Sequence, residues 1–325
     1  MMDTHAHTKN TLPQRTNLIL IGAIGLLHLA VLAALPFLLM QSLWWAAVLP
    51  LLAWVNIPHW ALIHEGIHKL LHRDTRTNER LSRGLGVLMG ASFHVMRFGH
   101  MMHHQLNRDW HSEWVSERNI INRARYYAHL LFGLYGSEVM TSLLVAVLPK
   151  ETAIRLARRT ALKYHPDVAI AAERFFYTRE HARMVRQDMA LSVIVYGAAF
   201  WHFGAFWPIL AAYFGLRALV ISFLDNIYHY GTAGDNSKAA KELTLPPLYS
   251  ALLLHSNFHE THHLNPDVPW TQLPACHNAQ GRVFNGGFVA HGLKQLAGPL
   301  QSTQKKPLQH LPARPSRGGM QASYA

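Results

Sequence analysis

Long apolar segments with almost no charge recur along the chain and predict membrane-spanning helices. Residues 17–40 contain no Lys, Arg, Asp or Glu, and residues 43–63 form a second uncharged run after a very short turn. Residues 190–203 and 206–224 form a second apolar pair. Because about 20 apolar residues in a helix cross a bilayer core of about 30 Å, the pattern predicts four spans in two hairpins. The alternative is that these helices are buried in a large soluble enzyme, but two adjacent pairs of segments with almost no charge favour membrane spans.

The distribution of basic residues orients these spans. All Lys and Arg except Arg217 lie in four stretches outside the apolar pairs, and the tight connections near Gln41 and Gly204 contain none. The four stretches are residues 1–16, 64–128, 150–187 and 232–325. Since Lys and Arg accumulate on the cytoplasmic side of membrane proteins, we expect both termini in the cytoplasm. The expected location is a bacterial inner membrane.

Two further segments are expected to lie at the membrane surface. Residues 129–148 are apolar but contain Glu138, Ser142 and two glycines, which lipid would penalise. Residues 81–96, with three glycines, are interpreted in the same way. The expected fold is therefore an all-α, polytopic membrane protein with about four transmembrane helices, interfacial helices and a cytoplasmic cap.

We expect one domain over residues 17–300. A disordered N-terminal segment, residues 1–16, is expected before it. The Pro- and Gly-rich segment 301–325 is expected to be a disordered tail.

The amino-acid composition excludes several kinds of site and draws attention to histidine. The single cysteine, Cys276, excludes a disulfide framework and an iron–sulfur or thiolate zinc site built by this chain alone. The net charge is +12. Because the chain has several apolar segments long enough for a membrane, we expect this charge to interact with lipid head groups and a protein partner rather than with nucleic acid. Histidine is the anomaly, because 24 histidines exceed the 18 acidic residues.

Three short motifs concentrate the histidines at the predicted cytoplasmic face. HEGIH follows the second span, HMMHH lies in the next basic stretch, and HETHH follows the fourth span. Residues at i, i+3 and i+4 share one face of a helix, so each motif presents its imidazoles together. A lone histidine, His229, follows the fourth span four residues after Asp225. The candidate metal ligands are His64, His68, His100, His103, His104, His229, His259, His262 and His263.

Nine imidazoles exceed what one metal needs, and two metals with four or five nitrogens each would use the whole set. Neutral imidazole suits Fe, Zn, Cu or Ni. Ligand histidines normally donate their second ring N–H to a carboxylate or carbonyl, and five acids lie near the motifs. These acids are Glu65, Asp109, Glu113, Glu260 and Asp267.

Other polar residues in or beside the apolar segments are given structural interpretations. We assign no ligand role to the histidines outside the motifs and His229, which include His28, His59, His72, His202 and His255. Arg217 is expected to snorkel to the membrane surface, or to pair with Asp225 or Glu138.

The motifs resemble the three histidine boxes of the membrane fatty acid desaturase superfamily. GHMMHHQLNRD resembles the second box, and NFHETHHLNPDVPWTQLP, residues 257–274, resembles the third box with its proline-rich continuation. The resemblance extends in order and spacing over roughly residues 15–290. It implies that residues 17–300 form a desaturase-like domain with a cytoplasmic di-iron cap.

This resemblance implies a non-haem di-iron centre that uses O2 and two electrons to desaturate a fatty acyl chain carried on CoA, acyl carrier protein or lipid. The ligand set carries over to the nine histidines named above. In some members an Asn one turn before the lone histidine holds a metal-bound water. Asp225 occupies that position here and is the candidate catalytic residue.

Related reactions share these motifs. HEGIH and HYG, residues 229–231, are also similar to membrane alkane hydroxylases, and carotenoid ketolases and hydroxylases have similar boxes. An acetylenase, which acts on an existing double bond of an acyl chain, would have the same motifs. The third box begins with His259 rather than Gln, which makes a front-end desaturase less consistent. HEGIH also fits the HExxH motif of zinc proteases, with Glu65 as base, but that interpretation leaves HMMHH and HETHH unused. A non-enzymatic metal-binding or transport protein is the remaining alternative.

The electron source is expected to be a separate protein, because the chain has no recognisable flavin, haem or iron–sulfur motif. Residues 150–187 carry nine basic residues against four acids. Part of this charge is explained by anionic lipid head groups. The excess predicts a small acidic donor such as a ferredoxin.

Overall fold

Helices account for nearly all regular structure in the computed structural model, which describes residues 12–110, 114–161, 178–232 and 239–301. In chain order the α-helices are α1 (Gln14–Leu29), α2 (Leu35–Gln41), α3 (Leu49–Trp54), α4 (Asn56–Ile67), α5 (Thr75–Met89), α6 (Phe93–Trp110), α7 (Ile120–Ala128), α8 (Leu134–Val147), α9 (Lys150–Ala161), α10 (Arg179–Phe203), α11 (Trp207–Ile227), α12 (Pro247–Leu252), α13 (His259–Leu264), α14 (Leu273–Ala279) and α15 (Phe288–Gln295). The two-residue strand β1 (Trp114–Val115) pairs in parallel with β4 (Leu300–Gln301), and β2 (Leu243–Thr244) pairs in parallel with β3 (Gly286–Gly287). The predicted all-α class is confirmed.

Four helical stretches among the described residues are long and apolar enough to cross a membrane. They are Gln14–Gln41, Leu43–Ile67, Ile120–Val147 and Glu180–Ile227. The last has 48 residues and turns back at Gly204, where φ is 51°, a conformation that favours glycine. After this turn Arg217 of α11 lies beside Tyr196 of α10, with Nη1 and the hydroxyl oxygen 3.3 Å apart. The chain is therefore a multi-pass membrane protein, and the four segments predicted to be spans lie within these stretches.

The ends of the predicted domain shift slightly. α1 begins at Gln14, so residues 14–16 are helical although the sequence assigned them to the disordered N-terminal segment. Asn17 holds this end of the helix, because its Nδ2 donates to the carbonyl of Leu71 at 3.1 Å. Gln301, the first residue of the predicted tail, belongs to β4. Residues 1–11 and 302–325 lie outside the described residues, so disorder there stays a prediction.

The segment predicted to be interfacial, residues 129–148, falls almost entirely within a continuous helical stretch that is long enough to cross the membrane, Ile120–Val147. Its polar side chains Glu138 and Ser142 are buried inside the protein. The interfacial interpretation assumed that these polar side chains would be exposed to lipid at a cost in free energy. Because they are buried in the protein, that cost does not arise. The number of crossings and their orientation stay predictions.

Arg217 is fully buried, so it does not snorkel. Its guanidinium donates to the carbonyls of Leu88 and Met89 at 3.1 and 3.0 Å, and its Nη2 lies 3.0 Å from Nε2 of His28. Among the described residues its partners are thus carbonyls, tyrosine hydroxyls and His28 rather than the expected carboxylates. The positive charge satisfies carbonyls at the C-terminal end of α5, where unpaired carbonyls favour a cation. This contact fixes the turn that leads into α6, which carries HMMHH.

Candidate metal centre

Four elements direct the nine candidate histidines to one place. HEGIH occupies the last turn of α4 and the residue after it, HMMHH lies within α6, and HETHH begins α13. His229 lies just beyond the end of α11. The structure brings all nine histidines together in two neighbouring groups.

The first group contains five imidazoles, and their ligand atoms all lie within 4.8 Å of one another. Its members are His64, His68, His100, His104 and His262. The Nε2 atom of His100 lies 2.9 Å from Nε2 of His68 and 2.9 Å from Nε2 of His104. Nε2 of His262 lies 3.1 Å from Nε2 of His104. All three motifs contribute to this group.

The second group contains four buried imidazoles, from His103, His229, His259 and His263. The Nε2 atoms of His229 and His259 lie 2.9 Å apart, and Nε2 of His263 lies 3.2 Å from those of His259 and His103. The rings of His104 and His263 stack with their centroids 4.4 Å apart, which makes the two groups neighbours.

The spacing of the nitrogens fits metal binding. Two nitrogens that each lie about 2.1 Å from one metal, at right angles, are about 3 Å apart. The Nε2 separations of 2.9–3.2 Å in both groups match this spacing. In addition, the buried Nε2 of His64 has no hydrogen-bond partner among the described residues. A buried polar atom of this kind is costly unless a ligand satisfies it.

Burial keeps these imidazoles neutral and therefore able to bind metal. Burial first, and then the neighbouring His64 imidazole, holds the pKa of His100 well below its ordinary value of 6.5. The same two causes lower the pKa of His262. Since only the unprotonated ring nitrogen binds a metal, both side chains are in the binding form at neutral pH.

An apolar cavity adjoins the first group. His64, His100, His259 and His262 lie in its wall, and Asp225 and Glu65 line it too. Most of the remaining lining is apolar, from Ile57, Trp60, Ala61, Ile221, Leu224, Leu254, Trp270 and Leu273. The candidate catalytic residue Asp225 therefore lines the same cavity as four of the candidate ligand histidines.

Three of the five acids expected to support the ligands have other partners or positions. Glu65 accepts a hydrogen bond from the Trp270 backbone N–H at 3.3 Å, Glu260 pairs with Arg282, and Asp267 is exposed. The side chains of Asp109 and Glu113 lie outside the described residues. For His229 the support is a carbonyl, since Nδ1 lies 3.4 Å from the oxygen of Ala239.

Sequence reasoning missed Glu242, which lies 17 residues before HETHH. Its carboxylate accepts a hydrogen bond from the Thr261 backbone N–H at 2.7 Å, inside that motif. No short motif in the sequence links the two residues, so the only signal was an acid in a predominantly basic stretch.

The model of the fatty acid desaturase family matches residues 42–287. This range covers about three quarters of the chain and includes all nine histidines. The chain belongs to the fatty acid desaturase family. It is therefore an oxidoreductase that acts on fatty acids, and its paired histidine groups agree with the non-haem iron for which this family is known. A comparison with curated proteins finds no match.

Proposed function

We propose that this desaturase-family protein introduces a carbon–carbon double bond into a fatty acyl chain, using O2 and two irons held by the nine histidines. The observation that carries the proposal is the convergence of these imidazoles into groups of five and four. Each double bond requires one O2, two electrons and two protons, and the reaction releases two waters.

The irons would supply the reductive activation of O2 that hydrogen removal from an unactivated methylene requires. The imidazoles would hold each metal through neutral nitrogens, and the four imidazoles of the second group are all buried. Helices rather than loops carry all three motifs, and helices keep ligand positions within a narrow range.

The apolar cavity is the proposed binding site for the acyl chain. Trp60, Ile221 and Leu254 offer apolar surface along it, while His64 and His262 lie in its wall. Burial of methylenes contributes about 0.8 kcal/mol each, so such a cavity binds an acyl chain without a charged anchor. The packing of these side chains then determines which carbon faces the histidines.

Asp225 is proposed to hold a water, or a proton, at its carboxylate oxygens beside the first group. Its position in the cavity wall supports this role, because the same wall contains His64 and His100. Both oxygens of a carboxylate can accept a hydrogen bond from water, whereas an apolar side chain at this position could accept none.

Electrons are proposed to come from a small acidic protein such as a ferredoxin, which docks on the cytoplasmic face of a bacterial inner membrane. Lys150 and Arg155 are exposed on α9, and Arg183 and Arg186 are exposed in the first turns of α10. Positive surface charge of this kind accelerates association with an acidic partner.

Metal analysis of the purified protein tests the di-iron proposal. Protein loaded anaerobically with ferrous iron should retain two irons per chain after desalting and should form product only with O2 and a reductant. Retention of one zinc and no iron, with activity that survives His103→Ala or His262→Ala, would contradict the proposal.

A further inference from the structure

Glu242 is completely buried, and its backbone is fixed on both sides. Its N–H donates to Oδ1 of Asn285 at 2.7 Å, and its carbonyl accepts from the Asn285 N–H at 2.8 Å. It also forms an antiparallel bridge with Phe258, the residue directly before α13. Glu242 is therefore a rigid element next to the helix that carries HETHH.

The carboxylate of Glu242 gathers donors from three segments. Oε1 accepts from the Thr261 backbone N–H at 2.7 Å, from the Thr261 hydroxyl, and from Nε of Arg282 at 3.2 Å. Oε2 lies 2.9 Å from Nδ1 of His277. His277 is itself buried between the rings of Phe258 and Phe284. A buried carboxylate is costly unless it is paired and hydrogen-bonded, and here both oxygens have partners.

The contact with Thr261 is made on the face of α13 that points away from the histidines. Residues of an α-helix are separated by about 100°, so His259, His262 and His263 share one face and Thr261 lies nearly opposite. α13 has only six residues, and an isolated helix of that length is unstable in water. Its orientation must therefore come from tertiary contacts, which include the hydrogen bonds from Thr261 to Glu242.

We propose that Glu242 is a positioning residue of the metal centre. Its carboxylate binds Thr261, opposite the histidine face of α13, and thereby fixes the orientation of the helix that carries His259, His262 and His263. His277 and Arg282 hold the Glu242 carboxylate in place for this task. This proposal rests on the proposed di-iron function, since positioning matters only if the histidines bind metal.

Hydrogen exchange in the metal-free protein tests the positioning directly. In Glu242→Ala, the amides of residues 259–264 should exchange at least about tenfold faster than in the wild type, because the acceptor for the Thr261 N–H is lost. Amides of α4 and α11 should not change. Glu242→Gln keeps one carbonyl oxygen at nearly the same volume and should give an intermediate increase.

Glu260→Gln is the matched control. Glu260 lies in α13 and pairs with the same Arg282, but its carboxylate makes no contact with the Thr261 backbone N–H. This variant should leave exchange in residues 259–264 within about twofold of the wild type. If Glu242→Ala exchanges like the wild type, the proposal is wrong. If Glu242→Ala unfolds throughout, Glu242→Gln decides, and either unchanged exchange or a uniform increase in that variant overturns the proposal.

Iron retention gives the second readout. Supporting residues behind metal ligands typically change metal affinity by 10- to 100-fold, so Glu242→Ala should lose iron to a chelator about 10- to 100-fold faster than Glu260→Gln. If the wild type binds no iron, the di-iron function fails while the exchange result still stands. If the wild type binds two irons and Glu242→Ala matches it in both measurements, only the positioning role fails.

Discussion

His262 and His263 are consecutive residues, yet their imidazoles belong to different groups. The ring centroids lie 5.9 Å apart with an interplanar angle of 84°. His103 and His104 show the same relationship, with centroids 5.9 Å apart and an angle of 74°. Each HH pair therefore contributes one imidazole to the group of five and one to the group of four.

Substitution within one HH pair should separate the two metals. His262→Ala removes a ligand from the group of five, and His263→Ala removes one from the group of four. Each variant should retain about one iron per chain and lose detectable activity, because O2 chemistry needs both irons. Iron quantification of the desalted proteins checks this. His72→Ala is the control, since His72 lies close to HEGIH but outside both groups, and it should retain two irons.

The sequence predicted which histidines meet but not how they divide. Helical periodicity shows that His100, His103 and His104 share a face, because it depends only on their spacing. The opposing helix decides which ring joins which group, and no local pattern specifies that. Arg217 and Glu242 illustrate the same limit, since their partners lie 128 and 19 residues away. The four predicted spans lie within apolar helical stretches, because hydropathy over about 20 residues depends on local sequence alone. The stretch Ile120–Val147 is also long enough to cross, although residues 129–148 were expected to be interfacial, because hydropathy does not show that Glu138 and Ser142 are buried by other helices.

Gly66 within HEGIH should be intolerant of a side chain. A Cβ at this position would lie 2.0 Å from Oγ of Ser82 and 2.9 Å from its Cβ, where α4 crosses α5. Gly66→Ala should therefore lower the free energy of unfolding by about 1–3 kcal/mol, as other overpacked core sites do. Thermal unfolding in detergent measures the change.

A second substitution makes this prediction specific. Adding Ser82→Gly to Gly66→Ala removes the clashing atoms and should restore part of the lost stability, so the two changes should be non-additive. Gly84→Ala, also in α5, is the control because a Cβ there has no neighbour within 4 Å. Additive losses in the double variant would show that Ser82 is not the obstacle.

Arg217→Met should destabilise the protein strongly. The substitution keeps an unbranched side chain but leaves the carbonyls of Leu88 and Met89 without their charged donor. Hydrogen bonds to charged groups contribute about 1.5–3 kcal/mol each, so a loss of at least about 3 kcal/mol is expected. Arg155→Met, at an exposed position of α9, is the control and should have little effect on the melting temperature. Equal melting temperatures for the two variants would contradict the anchoring role of Arg217.

His94 should make the fold sensitive to acid. It is buried, and burial, followed by the charges of His181, Arg83 and Arg97, lowers its pKa to about 3 from 6.5. The Glu79 carboxylate, 3.5 Å from Nε2, favours protonation but does not outweigh burial. Between the two pKa values the unfolded chain binds more protons than the folded one. The contribution of His94 to stability is therefore complete above pH 6.5 and falls as pH drops towards 3, by up to about 1.4 kcal/mol per pH unit.

The His94→Asn variant isolates this effect. Its melting temperature should fall less between pH 7 and pH 5 than that of the wild type, since both proteins share the remaining histidines. Metal-free protein is used for both, so that loss of metal at low pH does not enter the comparison. Parallel decreases in the two proteins would exclude His94 as a source of the acid sensitivity.

Product analysis by mass spectrometry tests the central claim most directly. The wild type and His262→Ala are expressed in a host that lacks unsaturated acyl chains, and the lipids and acyl thioesters of both cultures are analysed. The di-iron desaturase proposal predicts acyl chains that have lost two hydrogens, in the wild-type culture only. Acyl chains that have gained one oxygen, with no alkene, or the same products in both cultures, would contradict it.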